Sequence, residues 1–168
     1  MSKEINHISG SFLNSYDNYR DDFINSYILG IKTPENIYMK FGKDYEDCLA
    51  ENEYKDYSRQ EKLDEVFEWY KIVWYYDFVN DNEIIEVKTK SGWWSKNEIK
   101  KNWQFRLYNH YRKWKTFKIH QYNKKRQETK IWDIWREDEY FVPELYVKIK
   151  EIEEFLQPYD VRIMKDKI

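Results

Sequence analysis

Two apolar runs around a short polar turn constrain this chain more than any other feature. "YKIVWYYDFV" (70–79) and "EIIEVKT" (83–89) flank "NDN" (80–82). Both runs are rich in β-branched and aromatic residues, and together they predict a β-hairpin. Helical signals surround it. Thr33-Pro34 reads as an N-cap and first helical residue opening a helix through about Ala50, with Ile37, Phe41, Tyr45 and Leu49 near one face. Ser58-Arg59-Gln60-Glu61 reads as a capping box for a second, shorter helix, and Ser95-Lys96-Asn97-Glu98 as another that opens a helix through "NEIKKNWQFRLYNHYRKWK". "FKIHQY" and "TKIWDIW" alternate around the turn-like "NKKRQE", and "ELYVKIKEIEEFL" has helical period. Helices, hairpin, helix, hairpin, helix is an α/β or α+β order with a central sheet.

At 168 residues the chain has the size of one ordinary domain, and no repeat, linker or low-complexity block divides it. One domain spanning 1–168, with its core at about 33–157, is the expectation. The single cysteine, Cys48, excludes a disulfide framework, a cysteine zinc site and a four-cysteine cluster within one chain, and a reducing cytoplasm fits best. The first residues lack a signal peptide's apolar core, and no run reaches the length of a membrane span. Net charge is only -2, yet the stretch from Lys88 to Lys130 carries +12 and the remainder -14. Trp93, Trp94, Trp103, Phe105, Tyr108, Tyr111, Trp114, Phe117 and Tyr122 interleave with that positive charge, a combination that suits a phosphate backbone with unstacked bases. Aromatic residues make up 20% of the chain, so as a group they also serve the core.

The second run of the hairpin carries charge where an apolar strand should not. Side chains alternate across a strand, so Ile85 and Val87 share one face while Ile84, Glu86 and Lys88 share the other. A turn on Asp81-Asn82, which tolerate the positive φ of a type I′ turn, places Asp77 directly opposite Glu86; a register shifted by one moves Asp77 to the other face. Two facing carboxylates raise each other's pKa unless a positive group lies between them, and a divalent cation with oxygen ligands is the usual solution.

Asp77 followed by Glu86-Val87-Lys88 resembles the signature of the PD-(D/E)XK nuclease superfamily, whose fold is a restriction-endonuclease-like mixed sheet flanked by helices. Upstream, "FGKDYEDCLAENEY" is similar to the first motif of the lambda-exonuclease and RecB-type branch, here Gly42 and Glu46; downstream, "QFRLY" is similar to its Q-x-x-x-Y motif, here Gln104 and Tyr108. The four elements stand in family order between Phe41 and Tyr111. No proline precedes Asp77, and the lack of a cysteine cluster argues against the iron-sulfur members.

The resemblance implies a Mg²⁺- or Mn²⁺-dependent deoxyribonuclease, exonucleolytic on DNA with a free end, in recombination, repair or phage DNA processing. Asp77, Glu86 and the Val87 carbonyl would ligate the metal, with Glu46 directly or through water. Lys88 would position the attacking water, and Gln104 and Tyr108 would orient Lys88 or bind a substrate phosphate. Lys90, Trp93, Trp94, Lys100, Lys101, Arg106, Tyr111 and Arg112 form the expected nucleic-acid surface. Ring-forming oligomers occur among the relatives, which brings in a homo-oligomer and a recombination or phage protein partner.

Each assignment has a plainer rival. Glu46 also reads as an exposed helix glutamate, Gln104 as a solvated helix residue, and Trp93 and Trp94 as a base platform, a dimer contact or a lid. A non-catalytic nucleic-acid-binding or protein-interaction module on the same fold is the second reading, and an aromatic-rich protein for sugars or another protein the third. His7, His110 and His120 are isolated, and no Walker loop, dinucleotide fingerprint or G-x-S-x-G is present.

Overall fold

The computed structural model describes residues 3–134 and 137–165. A short strand, β1 (Lys3–Ile5), precedes α1 (Gly10–Asn18) and α2 (Arg20–Phe23), which runs on into a π-helical turn at Ile24–Ile28. Then follow α3 (Ile37–Glu51), β2 (Ser58–Phe67), β3 (Tyr70–Val79), β4 (Glu83–Lys90), α4 (Lys96–Lys101), α5 (Trp103–Tyr111), β5 (Thr116–Asn123), β6 (Glu128–Ile134), α6 (Phe141–Leu156) and β7 (Val161–Ile163). The main sheet has the order β2-β3-β4-β5-β6, with β4 and β5 parallel and the other neighbours antiparallel; β1 and β7 form a separate parallel pair. A five-stranded mixed sheet flanked by helices in one domain is the α/β architecture expected from the sequence, consistent with a restriction-endonuclease-like fold.

Both expected hairpins form, and Trp135, the last residue of the expected "TKIWDIW" strand, lies outside the described residues. Four local expectations are corrected. The first helix starts at Ile37 rather than Pro34, because Asn36 Oδ1 accepts the N–H groups of Tyr38 and Met39. Ser58–Glu61 is strand rather than helix: β2 is an edge strand, almost wholly exposed, so its charged sequence carries neither period, and pairing with β3 decides its conformation. The expected long helix after Ser95 is two helices, because Asn102 is extended and caps α5 through Oδ1 on the Phe105 N–H, although the Ser95–Glu98 capping box forms as expected. The β3–β4 turn has no positive φ at Asp81 or Asn82; instead Asn80 Oδ1 accepts the N–H groups of Asn82 and Glu83.

The main core lies between one face of the sheet and α1, α5 and α6, around Phe12, Phe23, Ile72, Trp74, Phe105, Phe117, Phe141 and Leu145. It also takes in Ile5, Ile8 and Leu13 at one end and Val161 and Ile163 at the other, outside the expected span of 33–157. A smaller cluster of Leu49, Tyr54, Phe78, Ile85 and Val87 sits under α3 on the opposite face. Among the described residues no helix is long and apolar enough to cross a membrane.

The sheet is irregular at one place. Tyr70, Ile72, Trp74 and Tyr76 of β3 face the main core, but past Asp77 it is Val79 that joins this core and Phe78 that packs in the smaller cluster. The alternation changes phase at Asp77. Pairing with β4 stops at Phe78↔Ile85, and pairing with β2 skips from Arg59↔Phe78 to Glu61↔Tyr76. Asp77 is thus paired on neither side, and β3 and β4 splay apart. Beyond the splay, Ile8 takes over the vacated edge of β3, donating to Lys71 O at 2.8 Å and accepting from Val73 N at 2.9 Å. This brings the start of α1 to the mouth of the gap.

Candidate active site

The gap between β3 and β4 is a cleft of about 350 Å³ whose lining includes Ser9, Gly10, Gln60, Asp77, Glu86, Lys88, Gln104 and Tyr108. Each chemical group arrives for a local reason. Continued one step past Phe78↔Ile85, the register sets Asp77 across from Glu86, as expected, but the ladder ends before that point and Asp77 Oδ2 accepts the Val87 N–H at 2.7 Å in place of a backbone carbonyl. On β4, Glu86 and Lys88 share a face, and Lys88 Nζ meets Glu86 Oε1 at 2.9 Å. One helical turn separates Gln104 from Tyr108 on α5. Gln104 Nε2 donates to Glu86 Oε1 at 3.1 Å and to Tyr108 Oη at 3.0 Å, while Tyr108 donates to Tyr75 O at 2.9 Å. Gln104 therefore orients Glu86, not Lys88.

Glu46 arrives from α3 and meets the others through a residue the sequence reading assigned elsewhere. Gln60 Nε2 donates to Glu46 Oε1 at 2.7 Å and to Asp77 Oδ1 at 3.0 Å. Its only trace in the sequence was the false capping box. Gly10 is the other residue missed: a Cβ there would lie 2.5 Å from Gln104 Cα, so the absence of a side chain lets α1 press against α5 beside the site.

The electrostatics are uneven. Glu86 is 2% exposed, and its Oε2 is buried with no hydrogen-bond partner among the described residues. Burial, then the charge of Asp77, pushes its carboxyl well above the usual range, and Lys88 offsets this only in part. Glu46 is raised by the same two causes. Burial lowers the Lys88 ammonium, but Glu86 and Asp77 outweigh it and leave the pKa above the ordinary lysine value. Among the described residues, the Lys88 ammonium forms an ion pair with Glu86 and not with the facing Asp77. An orphaned carboxylate oxygen beside a second carboxylate fits a hard divalent cation, which takes oxygen ligands and needs only one or two carboxylates from the protein. Among the described residues no three His, Cys, Asp or Glu side chains form a metal-holding group, and the Gln60 amide stands between Glu46 and Asp77.

The expected nucleic-acid residues separate into three sets. Lys100 and Lys101 are exposed, and Lys90 extends to 3.7 Å from Glu98. Trp93 is half-buried, Trp94 packs on Phe105 at 4.9 Å, and Tyr111 stacks on Trp74 at 4.9 Å. Arg106 is held by Asp138 and Glu144, and Arg112 bonds Asn109 and the Lys115 carbonyl.

The chain superposes on the crystal structure of SSO0001 with a TM-score of 0.61 and 15% identity, over 90% of this chain and 79% of that one, a likeness of fold alone. A crystal structure named "Putative exonuclease" from Eubacterium rectale aligns over 90% of this chain and 66% of that one, at 16% identity and a TM-score of 0.45. No protein-family model and no curated protein matches the sequence.

Proposed function

We propose that the chain is a divalent-metal-dependent DNA nuclease that hydrolyses phosphodiester bonds, acting exonucleolytically on DNA with a free end. The observation that carries this reading is the splay at Asp77, which delivers two carboxylates, a lysine and an oriented glutamine into one cleft and leaves a buried carboxylate oxygen without a partner among the described residues. Asp77, Glu86 and the Val87 carbonyl would hold Mg²⁺ or Mn²⁺, with Glu46 beside them. Such an ion supplies Lewis-acid activation of the phosphate and of the attacking water.

The chain's own residues do the rest. Gln104 fixes the rotamer of Glu86 by giving it one N–H and bracing the other against Tyr108. Lys88, charged at neutral pH, places its ammonium where negative charge grows on the phosphate, and electrostatic stabilisation of this kind is usually the largest catalytic contribution. Burial of Glu86 beside the buried Trp74 and Tyr108 strengthens both effects.

A non-catalytic module on the same fold is favoured by one observation, the Gln60 amide that already bridges Glu46 and Asp77. Cleavage of end-labelled linear and closed circular DNA with Mn²⁺, Mg²⁺ or EDTA separates the readings. Metal-dependent loss of linear DNA alone, abolished in Lys88→Ala, is the expected result. Cutting of the circle would replace the exonuclease with an endonuclease, and no cleavage under any condition would favour the binding module.

A further inference from the structure

Gln60 adopts φ 52 in the middle of β2, the left-handed region that a side chain makes unfavourable. No turn requires it there, because the ladder resumes on both sides at Arg59↔Phe78 and Glu61↔Tyr76. Conformations of this kind persist where surrounding structure enforces them, and they concentrate at functional sites. What this one achieves is visible in its contacts. The amide nitrogen reaches Glu46 of α3 at 2.7 Å and Asp77 of β3 at 3.0 Å, joining carboxylates that no other side chain links directly among the described residues. Its two N–H donors satisfy one oxygen of each acid. A neutral amide cannot neutralise them, and although Arg59 Nη2 lies 3.6 Å from Glu46 Oε1, Glu46 remains raised by burial and by the charge of Asp77.

We propose that Gln60 is a residue of the metal site itself, its amide standing where a divalent cation between Glu46 and Asp77 would stand and withdrawing when one binds. This inference rests on reading the cleft as a metal site. Asp77 Oδ2 is committed to the Val87 N–H, so the carboxylate oxygens that could meet a cation include Glu86 Oε2, which has no partner among the described residues, and the Glu46 and Asp77 oxygens that Gln60 covers. Removing the amide therefore removes a competitor. Gln60→Gly suits the backbone, since glycine adopts φ near +52 without a steric penalty, and Gln60→Ala repeats the deletion while keeping the Cβ.

The test is Mn²⁺ binding to the full chain, read from the paramagnetic resonance signal of free Mn²⁺, with far-UV circular dichroism as the check on folding. Both variants are expected to bind Mn²⁺ about tenfold more tightly than the parent, the equivalent of about one exchanged hydrogen bond. Gln60→Lys tethers an ammonium at the same place and is expected to raise the metal-free Tm while weakening Mn²⁺ binding by more than about tenfold. Equal Mn²⁺ affinity in the parent and both deletion variants overturns the role of Gln60 and leaves the metal reading standing. Weaker binding in both deletions also overturns it, making the amide oxygen a ligand rather than the amide nitrogen a competitor. No Mn²⁺ binding by the parent or any variant overturns the metal reading and this inference together.

Discussion

Two clusters in this protein contain the same charges, one cation against two carboxylates, and they differ in every other respect. Arg106 on α5 lies 2.8 Å from Asp138 and 2.6 Å from Glu144, with its guanidinium 4.6 Å above the Trp103 ring. Its forked donors reach both acids, and those acids are 25% and 55% exposed, so water serves the oxygens that the arginine does not. In the cleft, among the described residues, the ammonium of Lys88 reaches Glu86 and not Asp77, and Glu86 is 2% exposed with one oxygen unserved. The first cluster is a clamp between α5 and the start of α6. The second holds charge in a form the protein alone does not satisfy. Solvation and donor geometry, not the count of charges, distinguish them, and that distinction can be broken experimentally.

The largest effect is expected at Glu86. Glu86→Gln keeps the shape, removes the buried charge and should reduce metal-dependent cleavage by about 10³-fold, since a preorganised electrostatic group of this kind commonly contributes 10²–10³-fold or more. In metal-free buffer the same variant should have an equal or higher Tm than the parent, because an incompletely compensated buried charge is costly. Calorimetry and cleavage rates on one preparation check both. A large loss of Tm with activity retained would make the Glu86 cluster a clamp like that of Arg106 and dissolve the comparison.

Arg106→Met is the converse. It should cost about 2 kcal/mol in urea unfolding, below the about 3–5 kcal/mol typical of a broken buried pair because both acids retain some water. The salt dependence of DNA binding should stay at the parental slope, since an arginine committed to two carboxylates releases no counterions from DNA. A shallower slope would return Arg106 to the nucleic-acid surface.

What the sequence disclosed follows the same division. The hairpin, the Glu86–Lys88 face and the facing of Asp77 and Glu86 were legible because they depend on period and register, which are local properties of two adjacent strands. The Gln104–Tyr108 pair was legible as a helical spacing, though its target, Glu86, is a tertiary fact. Gln60 was not legible: β2 is charged on both faces, and only its partner strand makes it a strand at all. Arg106 looked like a DNA contact because its sequence neighbours are basic, whereas the acids that claim it lie 32 and 38 residues away. The N-terminal helix was missed for a similar reason, since Phe12, Leu13 and Tyr16 sit among serines and asparagines that hide the stripe.

Gly10 tests whether the cleft depends on close packing from outside the recognised motifs. Any Cβ at this position meets the backbone of Gln104, so Gly10→Ala should cost about 1–3 kcal/mol through overpacking. Cleavage should fall more than the folded fraction does, because the displaced residue is the one that orients Glu86. Equal losses of folding and rate would show that Gln104 tolerates displacement.

The smallest effect concerns a third buried titratable group, one kept neutral instead of charged. His120 on β5 is fully buried; Tyr45 Oη lies 2.7 Å from Nε2 and Tyr54 Oη 2.8 Å from Nδ1, so the two hydroxyls can serve either neutral tautomer. Glu53 brings a carboxylate oxygen to 4.0 Å from Nδ1, but burial dominates and lowers the imidazole pKa below its ordinary value. With the folded value depressed, this group stabilises the protein above about pH 6.5 and that contribution is lost as pH falls through the folded value. The Tm of the parent should therefore drop between pH 7.5 and 5.5. His120→Gln should start from a lower Tm at pH 7.5 and lose less on acidification, with a residual slope from His7 and His110, which burial also lowers. An unchanged acid slope in the variant would place the sensitivity in those two histidines, leaving the tyrosine-held imidazole a packing element whose protonation state does not matter to the fold.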